Sequence, residues 1–92
     1  MKGHSSRSVR ELDSRDQALA AAIQAHLVRH PDARDTARGI QEWWLSAQHR
    51  DRSLHDVERT LWAMVEDGRL VASVLGNRTV LFARNPEREP GR

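Results

Sequence analysis

The 92-residue chain has no cysteine and no tyrosine, a single lysine and a single phenylalanine. Without cysteine, it can form no disulfide, no thiolate metal site and no thiol nucleophile. No apolar run reaches the roughly 18 residues that a membrane-spanning helix needs, and no N-terminal stretch resembles a signal peptide. The sequence therefore predicts a soluble, cytoplasmic protein with no membrane partner.

Neither sign of charge dominates. Fifteen basic residues stand against 13 acidic ones, for a formal net charge of +2. Positive charge is concentrated towards the two ends of the chain, whereas residues 46–67 carry an excess of acidic side chains. Overall charge is therefore only weak support for a nucleic-acid partner.

The composition indicates a single domain flanked by polar segments at both ends of the chain. Residues 1–13 contain too few apolar side chains to pack and are expected to form a disordered arm, and residues 87–92 a disordered tail. The remaining stretch, 14–86, is the length of a single small domain.

Apolar residues recur at helical spacing in three stretches. The first helix is predicted over Ser14–Arg29, with Ser14 as its N-cap and His30-Pro31 as its stop. A second helix is predicted over Thr36–Ala47, capped by Asp35, and a third over Leu54–Asp67.

Local signals support the second and third helices. Gly39 interrupts the second, which suggests close packing against a neighbouring helix. Ser53 followed by Asp56 resembles a capping box, and Gly68 is a typical residue just beyond a helix C-terminus.

After Gly68 the apolar period changes from helical to extended. Two short runs, Leu70–Leu75 and Arg78–Arg84, flank Gly76-Asn77, which predicts an antiparallel hairpin with a two-residue connection. Because side chains alternate along a strand, one face of the hairpin should cover the helices. That face carries either Val80 and Phe82 or Leu81 and Ala83. Residues 31–34 leave room for at most a stub of additional strand.

This order of elements resembles the winged helix-turn-helix superfamily: mainly α, with three helices followed by a two-stranded antiparallel wing. The most specific stretch is Glu66-Asp67-Gly68-Arg69-Leu70-Val71, where the third helix turns through glycine into the hairpin. The resemblance covers about residues 14–84 and rests on architecture rather than on an invariant motif.

In DNA-binding members of that superfamily, the third helix enters the major groove and the wing touches the backbone or the minor groove. The resemblance therefore implies a transcription-regulator-like module that binds double-stranded DNA. The residues at matching positions are Arg50, Arg52, His55, Arg59, Thr60, Arg69, Arg78 and Arg84.

A second hypothesis is a winged helix that docks on a protein. The outward face of the third helix is expected to hold His55, Asp56, Arg59, Thr60, Ala63, Glu66 and Asp67. Three acids against one arginine fit a polyanion poorly. Trp43 and Trp44 point about 100° apart on a helix, so one is expected inside and the other at the boundary of the core. The candidate residues for a protein interface are Trp44, Trp62, Asp56 and Glu66.

No constellation predicts catalysis. His26 and His30 have the spacing of a metal-binding pair but lack further marked ligands, so a core or helix-end role is the better interpretation. No serine lies in a glycine-framed nucleophile turn. The sequence predicts neither an enzyme nor a cofactor, a metal or a small-molecule substrate.

Overall fold

The computed structural model describes residues 8–49 and 51–87. Within them, three helical segments pack against a three-stranded antiparallel sheet. The helical segments are α1 (Ser14–Arg29), α2 (an α-helical turn Ala37–Gly39 continued by a π-helical turn Ile40–Trp44) and α3 (Leu54–Glu66). The strands are β1 (Arg34–Asp35), β2 (Leu70–Val74) and β3 (Val80–Arg84). No helix in the described ranges is both long enough and apolar enough to cross a membrane.

α1 has the predicted bounds, but its cap lies one residue earlier. The Asp13 carboxylate accepts a hydrogen bond from the backbone N–H of Asp16 at 2.9 Å, which makes Asp13 rather than Ser14 the N-cap. The helix ends before His30, because the following proline disfavours helical backbone there.

α2 departs most from the prediction. Thr36, not Asp35, caps it, and the Thr36 hydroxyl accepts from the N–H of Gly39 at 3.0 Å. The helix widens into a π turn and ends at Trp44, well before Ala47. Gly39 does not serve helix–helix packing, since a side chain there would overlap the carboxylate of Asp35.

α3 is bounded by local signals, as predicted. The Ser53 hydroxyl accepts from the N–H of Asp56 at 3.0 Å. At the other end Gly68 has a φ of 77°, its N–H reaches the carbonyl of Val65, and the N–H of Arg69 reaches that of Met64. This pair of bonds is a Schellman motif, and it turns the chain directly into β2.

The sheet has a third strand where the sequence predicted two. The strand order is β1-β3-β2, and β1 pairs with β3 through Asp35 opposite Phe82 and Arg34 opposite Ala83. The stub allowed between the first two helices is thus a true strand. A strand of two residues is too short to show the alternation of apolar and polar side chains by which strands are recognised, so the sequence does not predict it.

The core lies between the three helices and one face of the hairpin. Phe82 and Leu70 are buried and Val80 packs beside them, so the Val80 and Phe82 face is the inner one. The core also takes in Val9 and Leu12, from a 3-10 turn at Val9–Glu11.

The N-terminal prediction is therefore wrong for residues 8–13. These residues pack on the domain, and the backbone N–H of Val9 donates to the Asp67 carboxylate at 3.0 Å. The rest of the predicted arm, residues 1–7, and residues 88–92 of the predicted tail lie outside the described residues.

The hairpin turn is longer than predicted. The N–H of Arg78 donates to the carbonyl of Leu75 at 2.9 Å, and the next closing bond joins Leu75 to Thr79 at 2.8 Å. Arg78 has a φ of 70° and is the only non-glycine residue in the described ranges with a positive φ. A three-residue loop that ends in a left-handed residue matches this geometry, and glycine is the usual residue there.

We expect Arg78→Gly to stabilise the protein by about 1 kcal/mol, because left-handed backbone costs an L-residue roughly that amount. The same change at Arg34, which lies on a strand with negative φ, should destabilise by a similar amount, because glycine weakens strands. Urea denaturation of both variants measures the difference. Equal loss of stability in both would show that Arg78 is not strained.

Candidate interaction surface

Asp16 is a buried carboxylate that binds two arginines from elsewhere in the chain. Its side chain is 3% exposed. One oxygen accepts from Arg52, which precedes α3, and the other accepts from Arg59 Nε of α3 at 2.9 Å. Arg52 also donates to the carbonyl of Arg15 at 3.0 Å. These bonds join the start of α1 to the first two turns of α3.

Asp56 completes a charge-balanced cluster with Asp16, Arg52 and Arg59, here called the ion-pair cluster. Asp56 accepts from Arg52 at 3.3 Å and from Arg59 at 2.7 Å. Burial acts to raise the pKa of Asp56, but the hydrogen bonds from Arg59 and Arg52 outweigh it and hold that pKa below its ordinary value. The two carboxylates and the two guanidinium groups of the cluster pair with one another.

The ion-pair cluster and the core engage three residues of the predicted DNA-contacting surface. The Arg52 side chain is 7% exposed, so it is not free to hold a phosphate. The Arg59 side chain is 38% exposed, but its Nε and Nη2 atoms donate to Asp16 and Asp56. Thr60 is fully buried beneath α3 and cannot face a ligand.

Of the remaining predicted arginines, Arg78 lines a pocket together with Glu58 and Trp62 of α3, whereas Arg69 and Arg84 do not. Arg78 is exposed at the hairpin tip, whereas Arg69 and Arg84 lie half-buried at its base, five residue pairs away. Arg69 Nε lies 3.7 Å from the Asp67 carboxylate, and Arg84 Nε donates to the carbonyl of Pro31 at 3.5 Å. Arg50 lies outside the described residues.

The outward side of α3 carries a ridge of exposed residues at helical spacing, here called the α3 ridge. It consists of His55, Glu58, Trp62 and Glu66. The exposed face is therefore rotated about the helix axis from the predicted one. Thr60 and Ala63, predicted to face outwards, are buried, and Glu58 and Trp62 are exposed in their place. The helix is covered on two sides, by α1 and by the sheet, so its buried arc is wider than the apolar stripe alone indicates.

Trp62 links the ridge to the hairpin. Its ring meets Phe82 edge-on at 5.1 Å between centroids, yet 46% of the residue stays exposed. Beside it runs a groove of about 290 Å³, here called the α3–hairpin groove. The groove is lined by Thr36, Ala37, Arg38, Leu54, Glu58, Trp62, Arg78, Thr79, Val80 and Phe82.

The tryptophan pair is split as predicted, but Trp44, the predicted interface residue, is the buried member. Trp44 is buried and stacks on His26, with 4.4 Å between ring centroids and 14° between planes. Trp43 is 76% exposed and is therefore the member available to a partner. The spacing from Ile40 to Trp44 could have indicated this, since residues four apart share a helix face.

His26 and His30 lie side by side at the end of α1, with 4.7 Å between ring centroids. Burial, then the neighbouring charges of His30 and Arg29, lower the pKa of His26 below its ordinary value. Within the part of the chain that the structure describes, no group of three or more histidine, aspartate or glutamate side chains could hold a metal ion.

Asp16 and Glu58 were not among the predicted site residues, although their spacing in the sequence indicates the position of each. Asp16 is three and four residues before Leu19 and Ala20, which places a carboxylate on the buried face of α1. A buried acid requires a cationic partner. Glu58 falls three residues after His55 and four before Trp62, on their face.

No protein-family model, curated protein or solved structure gives a significant match to this chain.

We expect Asp16→Asn to lower the free energy of unfolding by about 3 kcal/mol or more, because it leaves buried arginine charge without its counter-ion. Glu42→Gln is the matched control: Glu42 and Arg38 form an exposed pair at 3.8 Å, which should contribute little. Urea denaturation compares the two variants. Equal effects would show that the ion-pair cluster does not hold the helices together.

The lowered pKa of His26 predicts a pH dependence of stability. Below the ordinary histidine pKa of 6.5 the unfolded chain binds a proton that the folded protein does not yet accept, so stability is complete above that pH and falls below it. We expect the free energy of unfolding of His26→Gln, measured by urea denaturation on either side of that pH, to fall less than that of the wild type. His55→Gln, at an exposed site on α3, is the control. If stability falls as much in His26→Gln as in the wild type, His26 is not the group responsible for this pH dependence.

Proposed function

We propose that this protein is a winged-helix-type module that docks on another protein through the α3 ridge and the α3–hairpin groove. Two features support a winged helix: the order helix, strand, helix, helix, hairpin, and the strand order β1-β3-β2, in which the early strand flanks the returning strand of the hairpin. In such a layout α3 occupies the position of the recognition helix, and the hairpin that of the wing.

The observation that carries the choice of a protein partner is the neutralisation of Arg52 and Arg59 by Asp16 and Asp56. A DNA-reading helix needs cations directed at phosphates and donors directed at base edges. Here Arg52 is buried, and Arg59, although 38% of its side chain is exposed, donates to the same two carboxylates. The α3 ridge that remains offers two glutamates and a half-exposed tryptophan.

The ridge and groove indicate the chemistry of the partner. Glu58 and Glu66 favour lysine or arginine on the partner surface, because opposite charges guide association and register. Leu54, Trp62 and Val80 line the groove with apolar surface that one side chain of the partner can enter. Tryptophan beside such a groove is the type of residue that dominates binding energy at interfaces.

DNA binding is the second candidate, and a specific observation favours it. Arg78 is exposed at the tip of the hairpin, and Arg38 lines the same groove. These two could contact phosphates on either side of a DNA groove without any base-reading role for α3. Such binding would be weak and strongly dependent on salt.

The test for a protein partner is selection from a displayed peptide library on the immobilised protein. We expect the selected peptides to combine basic residues with one apolar anchor. Their affinity should fall by about 30-fold in Trp62→Ala, the size of a typical hot-spot loss, and measurably in Glu58→Arg. Trp43→Ala and Glu42→Arg make the same changes at exposed sites on α2 and should leave affinity unchanged.

The same variants separate the two candidates when a random-sequence DNA duplex is the probe. Docking on protein predicts no retention of the wild-type protein on the duplex at low salt. Binding to the duplex that weakens with salt and is lost in Arg78→Ala, together with peptides that bind Trp62→Ala as well as wild type, would replace the protein-docking proposal with the DNA one.

A further inference from the structure

The α3–hairpin groove carries opposite charges on its different elements. The charged residue that α3 contributes to its lining is Glu58, whereas the hairpin contributes Arg78 and the first turn of α2 contributes Arg38. Between these charges the lining is apolar, and it includes Trp62 and Val80. The groove is therefore acidic along α3 and basic along the other two elements.

The charges of Glu58 and Arg78 are both available to a ligand. Both residues are exposed, and neither forms an ion pair with another residue in the part of the chain that the structure describes. Arg38 differs, because it lies 3.8 Å from the carboxylate of Glu42. Arg78 is consequently the cation of the groove whose charge is not balanced within the domain.

Arg78 occupies its position at a conformational cost. Its φ of 70° lies in the left-handed region, where glycine and asparagine are the favoured residues. Strained residues of this kind are concentrated at binding sites and other functional positions. The Arg78 side chain lines the groove, so a contact with a ligand there gives a reason for arginine at a position that suits glycine better.

We propose that Arg78 binds a carboxylate of the partner protein and Glu58 binds a basic residue of the same partner segment. The groove then accepts a segment with an acidic and a basic residue on opposite sides of its apolar anchor. This binding mode rests on the proposed function, and it adds the acidic residue and the orientation. A segment placed the other way round would bring like charges together, so the two charges select one orientation.

Glu58 also favours a peptide over nucleic acid at this arginine. A phosphate backbone carries negative charge along its whole length, and Glu58 would repel it where it passes α3. A peptide can instead present a different sign of charge to each side of the groove. Exposed ion pairs contribute little free energy each, so we expect Arg78 to determine which segments bind more than how tightly they bind.

The test uses the peptides selected from the displayed library. Aligned on their apolar anchor, they should have an acidic residue on one side and a basic residue on the other. Replacing that acidic residue by glutamine should weaken binding to the wild-type protein by about threefold, the size of an exposed ion pair. Fluorescence anisotropy of labelled peptides measures the change.

Arg78→Asn removes the charge and keeps a residue that tolerates left-handed backbone. We expect this variant to bind the acidic peptide and its glutamine form with equal affinity. Urea denaturation should show no loss of stability, which separates the effect on binding from an effect on folding. Arg29→Asn is the matched control, at an exposed arginine at the end of α1 that does not line the groove, and it should keep the wild-type discrimination.

Charge reversal tests the pairing directly. Arg78→Glu should weaken binding of the acidic peptide about tenfold at low salt, since repulsion replaces attraction. A peptide with lysine at the acidic position should bind Arg78→Glu more tightly than it binds wild type. This recovery requires a folded variant and a direct contact.

The outcomes distinguish this binding mode from the proposed function. Peptides that depend on Trp62 but have no acidic residue, or that Arg78→Asn still discriminates from their glutamine forms, overturn the role of Arg78 and leave docking through the groove in place. A library that yields no peptides, with duplex DNA binding that is lost in Arg78→Ala, overturns both.

Discussion

The fold depends on one buried carboxylate. Asp16 lies at the start of α1, on the face that carries the core residues of that helix, and is almost completely removed from water. An isolated charge there would cost several kcal/mol, so the fold is tenable only with cations brought to it. Arg52 and Arg59 supply them from the other side of the core. The orientation of α3 against α1 is therefore constrained by charge as well as by apolar packing.

That constraint decides which surface the domain presents. With Arg52 and Arg59 paired to carboxylates, the exposed ridge of α3 carries Glu58, Trp62 and Glu66, and Arg38 and Arg78 lie across from it on the other elements of the groove. A small layout of three helices and a hairpin can serve DNA or protein, because a fold does not specify its ligand. The proposed protein partner rests on the pairing of two guanidinium groups with carboxylates.

The hairpin brings two further surfaces into a small protein. Its inner face closes the core through Phe82 and Leu70, and Phe82 also supports the ring of Trp62 beside the groove. Its outer strand, β2, and the turn after it carry no charged residue from Leu70 to Asn77. Its tip keeps an arginine in left-handed backbone where glycine would be less strained, and such residues recur at functional positions. A domain with a modest core thus carries a groove, an uncharged strand and a charged tip.

The sequence by itself determined the bounds of α1 and α3, the glycine turn after α3 and the position of the hairpin. Each depends on caps, prolines, glycines and periodicity that act within a few residues. Only the tertiary structure decided the rest. β1 is too short to have a period, and it exists because β3 offers it an edge. Trp44 rather than Trp43 is the tryptophan that meets His26 of α1. The exposed side of α3 follows from which neighbours cover it, and the partners of Asp16 are 36 and 43 residues away along the chain. Contacts between residues so far apart in the chain form only when whole helices pack together. The conformational preferences of neighbouring residues therefore do not predict them.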